Sequence, residues 1–169
     1  KAFPNAEPAL SYDNMAEAIA AFERTLITRD RFDEFLAGDD QALNAAEKQG
    51  LKTFISTGCI ACHSGATLGG TMYQKMGVVN AYANTSDIGR QEVTGKASDR
   101  FVFKEPALRD ISRTAPYFHD GAAKTLDEAV KQMAWLQLGR SLSDADTASI
   151  VTFLNALENT RPVTLSSVK

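Results

Sequence analysis

The sequence predicts an all-α chain, and three observations predict it. Apolar residues recur at helical spacing in three stretches, each opened by a capping side chain with glutamate three residues on: Asn14 and Glu17, Asn44 and Glu47, Thr125 and Glu128. The middle of the chain, residues 64–100, is rich in Gly, Ser, Thr, Asn and Asp, and Ser86 to Arg100 holds no sustained period. One helical stretch runs directly into a cluster that contains both cysteines of the chain and one of its two histidines.

Taken in order, Pro4 and Pro8 mark an irregular lead-in. Met15, Ile19, Phe22 and Leu26 then form one apolar stripe on a helix predicted from the Asn14 cap to about Thr28, with Met15 expected in the core. Asp30 to Leu36 reads as a short second helix closed by Gly38. The Asn44 cap opens a third helix that ends near Thr57. Gly50 lies inside it, where glycine costs roughly 1 kcal/mol against alanine. A close helix–helix crossing or a tolerated solvent position would each account for it, and Phe54 shares its face.

Residues 64–100 are expected to form a long wrapped loop with small helical pieces, punctuated by Gly69-Gly70 and Gly77. Phe101-Val102-Phe103 fits one small strand or a loop anchor, and Pro106 is expected to start a short helix through Ile111. Thr114 to Gly121 is turn-rich. Leu126, Ala129, Val130 and Met133 repeat at i, i+3, i+4 and i+7 on a helix running to about Gln137 and ended by Gly139. Ser143 caps the last helix, with Ile150, Val151, Leu154 and Leu157 inward and Pro162 at its end. Trp135 and Tyr117 are expected to pack in the helical core.

The bulk numbers narrow the function. A chain of 169 residues, 44% apolar and 23% charged, is long enough for one domain with a real core. A net charge of −3 without a basic stripe argues against nucleic-acid binding. No apolar run reaches the length of a membrane span. A first residue Lys1 is expected of a mature product or a fragment.

Gly58-Cys59-Ile60-Ala61-Cys62-His63 spells C-x-x-C-H, the attachment sequence of a c-type haem. Cys59 and Cys62 would bond to the porphyrin vinyl groups as thioethers, and His63 would supply an imidazole nitrogen to the iron. A zinc site on Cys59, Cys62 and His63 needs a fourth ligand, and His119 is the one remaining Cys or His. A redox dithiol of thioredoxin type prefers a βαβ context. A haem also accounts for the long loop, which can pack on the porphyrin. Covalent attachment is extracytoplasmic in bacteria, so a periplasmic location is expected. The layout is then that of a class I cytochrome c-like domain with a long haem-wrapping loop and additional N-terminal helices. The helix holding Gly50 and Phe54 is expected to cross the last helix near Phe153 and Leu154.

The second axial ligand is sought among Met72, Met76, Met133 and His119. Met133 lies 70 residues beyond His63, enough chain to wrap the ring, and on the inward stripe of a well-capped helix. Core filler is its bland role. Given a haem, Met133 is the expected ligand, since a methionine sulfur from the far side suits a low-spin iron. Met76 lies in the loop and Met15 precedes the motif. His119, in a turn beside Asp120, reads first as a hydrogen-bonded turn histidine that could lie near a propionate.

Several of these pieces, in order, resemble one family: Ala18 to Leu26, Gly58 to His63, Tyr73 to Val79, Pro106 to Arg109, Thr114 to Gly121 with Thr125-Leu126, and Gln137 to Arg140. The chain resembles the C-terminal half of the bacterial di-haem cytochrome c peroxidases, the family that includes MauG-like proteins. The resemblance implies a high-potential, electron-transferring haem c with His63 and Met133 as axial ligands; MauG-like proteins carry Tyr in place of that Met. It implies a calcium ion held partly by the backbone carbonyls of Thr114 and Pro116. It implies a small c-type cytochrome or cupredoxin as electron donor and an N-terminal peroxidatic haem domain as partner, with a homodimer left open. The family has two C-x-x-C-H motifs and this chain has one, and Ala107 stands where the family commonly has Thr. Residues 1–38 are then an N-terminal helical segment facing the other haem domain, 39–162 the cytochrome c-like domain, and 163–169 a tail. The alternative is a stand-alone mono-haem electron carrier.

Overall fold

The computed structural model describes residues 3–159. Helices dominate it: α1 (Tyr12–Glu23), α2 (Arg31–Leu36), α3 (Ala45–Thr57), α4 (Gln91–Thr94), α5 (Leu126–Leu138) and α6 (Asp144–Asn155). Two three-residue strands, β1 (Tyr73–Lys75) and β2 (Val102–Lys104), pair antiparallel with Gln74 opposite Phe103. The chain is therefore helix-rich with one small ladder, not purely α. The ladder closes the long loop on itself.

Local chemistry sets the helix starts. Asn44 and Glu47 form a reciprocal capping box on α3, and Thr125 and Glu128 form another on α5. Ser143 accepts from the backbone of Asp146 on α6. The α3–α6 crossing is the centre of the core, near Phe153 and Leu154 as expected, and of the two accounts of Gly50 the close crossing holds. A Cβ at Gly50 would stand 2.8 Å from Phe153 Cβ and well inside contact distance of the Ser149 carbonyl oxygen. Phe153 is fully buried and meets Phe32 edge-on at 5.3 Å and Phe54 at 5.4 Å. Leu43, Ile150, Leu154 and Leu157 complete this cluster.

Four expectations are corrected. Helix α1 begins three residues earlier, where Ser11 accepts from the Asn14 backbone, and ends at Glu23. None of its residues is buried, and Met15, Ile19 and Phe22 are each about half exposed. The stripe is real, but no described element covers it. Residues 106–110 are not helical, because their amides bond far along the chain: Leu108 to the Thr67 carbonyl and Asp110 to the Leu157 carbonyl. A short 3-10 turn follows at Ile111–Arg113. Trp135 is half exposed, whereas Tyr117 is buried and donates its hydroxyl to the Ile111 carbonyl. The Phe101–Phe103 run is strand β2, and its partner lies some thirty residues back. Pro162 and the tail 163–169 lie outside the described residues. No described helix is long and apolar enough to cross a membrane.

Candidate functional site

Helix α3 ends at Gly58, and a 3-10 turn carries Cys59–Ala61. The amides of Cys62 and His63 both donate to the Cys59 carbonyl, at 3.3 and 3.0 Å. Cys59, Cys62 and His63 are thus wound into one helical turn at i, i+3 and i+4, on a shared side. Both cysteines are unpaired and half-buried. Cys59 packs against the main core, and burial pushes its thiol up to about 11.

The His63 ring is held from behind. Its Nδ1 lies 3.3 Å from the Leu68 carbonyl oxygen and 3.1 Å from Glu105 Oε1, and the Pro106 carbonyl also acts on the ring. Burial lowers the pKa of His63 and outweighs the raising effects of Glu105 and the two carbonyls. With acceptors facing Nδ1, a ring protonated at that atom would leave its Nε2 lone pair for a metal.

This backing depends on an unusual stretch of backbone. Leu68 is buried yet adopts a left-handed conformation, φ 49°. Gly69 follows at φ 121°, and a Cβ there would stand 2.5 Å from Glu105 Oε1 and 3.0 Å from His63 Nδ1. Only glycine fits. The Gly69 amide donates to the Ser64 carbonyl, and its own carbonyl accepts from the Thr67 hydroxyl. Leu68, Gly69, Glu105 and Pro106 did not stand out in the sequence as ring supports. The doubled glycine at 69–70 was the one available signal.

Met133 lies half-buried on α5, separate from the motif turn. The far end of α5 reaches that turn: Leu138 lies against Gly58, and Arg140 donates to the Ser56 carbonyl at 3.0 Å. The same helix end is stitched to the loop. Gln137 donates to the Lys75 carbonyl and accepts from the Val78 amide, the Val79 amide donates to the Leu136 carbonyl, and Asn80 donates to the Trp135 carbonyl. Met76 sits on this strap and lines a cavity of about 140 Å³ with Tyr82, Phe101, Phe103 and His119.

His119 is held by ring contacts, stacked on Phe103 at 4.0 Å and edge-on to Tyr82 at 5.6 Å. Asp120 beside it accepts from Tyr82 and Asn84, each at 2.9 Å. Burial and this bond push the Tyr82 hydroxyl up to about 12. Thr114 and Pro116 lie on the exposed turn before Tyr117. Among the described residues, no three of His, Cys, Asp and Glu are placed to hold a metal ion together.

The donor set therefore fits a covalent c-type haem. It offers two free thiols three residues apart and an imidazole with one nitrogen engaged.

Comparison with known proteins points the same way. The di-haem cytochrome c peroxidase family model matches residues 1–41. The chain is 46% identical to the cytochrome c551 peroxidase of Pseudomonas aeruginosa, over 96% of this chain and 48% of that protein. It is 45% identical to the cytochrome c551 peroxidase of Nitrosomonas europaea, over 90% of this chain and 46% of that protein. The crystal structure of a MauG-like protein associated with microbial copper homeostasis shares the fold, with a TM-score of 0.73 at 24% identity, covering 97% of this chain and 58% of that one. The chain belongs to the di-haem cytochrome c peroxidase and MauG-like family. It spans about half the length of the curated relatives it matches.

Proposed function

We propose that this chain is the high-potential, electron-relaying haem half of a periplasmic di-haem cytochrome c peroxidase. The observation that carries the reading is the Cys59–His63 turn, with the His63 ring fixed through Nδ1 and its Nε2 left free. When bound, a haem c supplies a one-electron iron couple. The residues of this chain hold and tune it: Cys59 and Cys62 as thioether tethers, His63 as the proximal ligand and Met133 as the distal one. A methionine sulfur raises the potential of such an iron. The domain fold is read as class I cytochrome c-like. Electrons would arrive from a small c-type cytochrome or cupredoxin and leave for a peroxidatic haem in an N-terminal domain, where hydrogen peroxide is reduced to water.

The half-exposed stripe of α1, within the stretch matched by the family model, supports assigning residues 1–38 to the face of that other domain. Residues 39–162 are then the haem domain and 163–169 a tail. Calcium, carried over from the family, would take the Thr114 and Pro116 carbonyls. Two carbonyls fall short of the roughly six to eight oxygens calcium takes, so water and the other domain would supply the rest.

Pyridine haemochrome absorbance of the chain, made with its maturation machinery intact, tests the cofactor. A colourless folded chain overturns the reading. A second C-x-x-C-H in the coding sequence upstream separates the peroxidase half from a stand-alone mono-haem carrier.

A further inference from the structure

We propose that Glu105 is a positioning residue for His63: its side-chain oxygen, set behind the ring, strengthens the electron donation of Nε2 to the iron. This rests on the haem reading above.

The geometry is specific. The Glu105 side chain is 4% exposed, with Oε1 3.1 Å from His63 Nδ1. Neither carboxyl oxygen has a well-directed donor among the described residues. Burying a carboxyl group without partners is costly, so a buried one aimed at a ring nitrogen calls for a reason. Two features hold it there. The Glu105 amide donates to the Met72 carbonyl at 3.0 Å, which fixes the backbone at the end of the β1–β2 ladder. Gly69 leaves out the Cβ that would otherwise collide with both Oε1 and Nδ1.

The Leu68 carbonyl already orients the ring, so orientation alone does not require Glu105. A carboxyl oxygen differs from that carbonyl in the charge it brings. A carboxylate held 3.1 Å from Nδ1 acts on the ring through its field, raising the electron density there and making Nε2 the stronger donor. That favours oxidised iron and opposes the lift given by a methionine sulfur. The chain would then set its potential by two residues on opposite sides of the ring, Glu105 lowering it and Met133 raising it.

The test is an optical redox titration of the haem-loaded wild type and the near-isosteric variant Glu105→Gln. The amide keeps the shape and an acceptor but discards the charge. The expected result is a rise in potential that shifts the oxidised-to-reduced ratio about tenfold at fixed ambient potential, about 59 mV for one electron. A shift below twofold overturns the proposal, because a merely structural role would leave the potential where it was. If the variant does not retain haem, the nitrogen NMR signal of His63 Nδ1 in reduced wild type decides. A position typical of a charge-assisted donor supports the proposal, and one typical of a carbonyl-bonded ring overturns it. A wild-type chain that takes up no haem overturns the parent reading as well, and that result is seen before any variant is made.

Discussion

Gly50 of α3 lies directly against the Ser149 carbonyl of α6, so close that no side-chain atom fits between the two helices. Gly50→Ala should therefore destabilise the chain despite alanine's helix-propensity advantage of about 1 kcal/mol. The added methyl meets the Ser149 carbonyl, the Phe153 backbone and the Phe153 Cβ, none of which is the flexible end of a side chain. A net loss of about 2 kcal/mol is expected from such overpacking. It would appear as a lower urea midpoint at unchanged slope. An unchanged midpoint would mean that the helices part easily.

Arg109 performs a second fastening. It donates to Asp30 at 2.5 Å, to both Asp33 oxygens at 2.9 and 2.8 Å, and to the Ala66 carbonyl at 3.1 and 2.8 Å. The Asp30 side chain is fully buried. Arg109→Ala leaves that carboxylate unpaired, so a loss of about 3–5 kcal/mol is expected in equilibrium unfolding. Ala66 lies three residues beyond His63, so faster hydrogen exchange across residues 64–69 should accompany the loss. Stability within 1 kcal/mol of wild type, roughly the value of an exposed pair, would contradict this.

Acid sensitivity has an identifiable contributor. The Arg31 hydrogen bond is the largest effect on Glu47 and outweighs burial, holding its carboxyl below the usual value of 4.5. A folded-state pKa below the unfolded one gives stability that is present above about pH 4.5 and lost as pH falls through the folded value. Glu47→Gln should flatten the acid limb of the stability profile below that pH and lower the plateau above it. Urea midpoints measured from neutral pH downward would show whether the limb persists unchanged.

The distal ligand is open to a paired substitution. Met133→Ala should alter the visible spectrum of the haem-loaded chain and lower its potential. Met76→Ala, on the strap, should do neither. An unaltered spectrum in Met133→Ala removes Met133 from the iron.

What the sequence made legible was what neighbouring residues decide. The α3 and α5 starts are written in Asn44–Glu47 and Thr125–Glu128, and each capping box closes within four residues. The motif turn is equally local. What long-range bonding decides stayed hidden. Strand β1 has no apolar alternation of its own and exists through its pairing with residues 102–104. The non-helical course of 106–110 is set by bonds to Thr67 and Leu157. Leu68 is left-handed where the loop turns its carbonyl to His63, and nothing in leucine announces that. The stripe on α1 told which face is greasy but not what covers it.

The stitching between Gln137 and the backbone at Lys75 and Val78 has a mechanical consequence. Because one side chain both gives to and takes from the strap, the strap cannot swing on a private hinge; it rides on the helix. Exchanging whatever occupies the face beneath it would require two pieces of backbone to shift in concert. Such a step should be slow and all-or-none, unlike the quick rotation of a lone thioether arm.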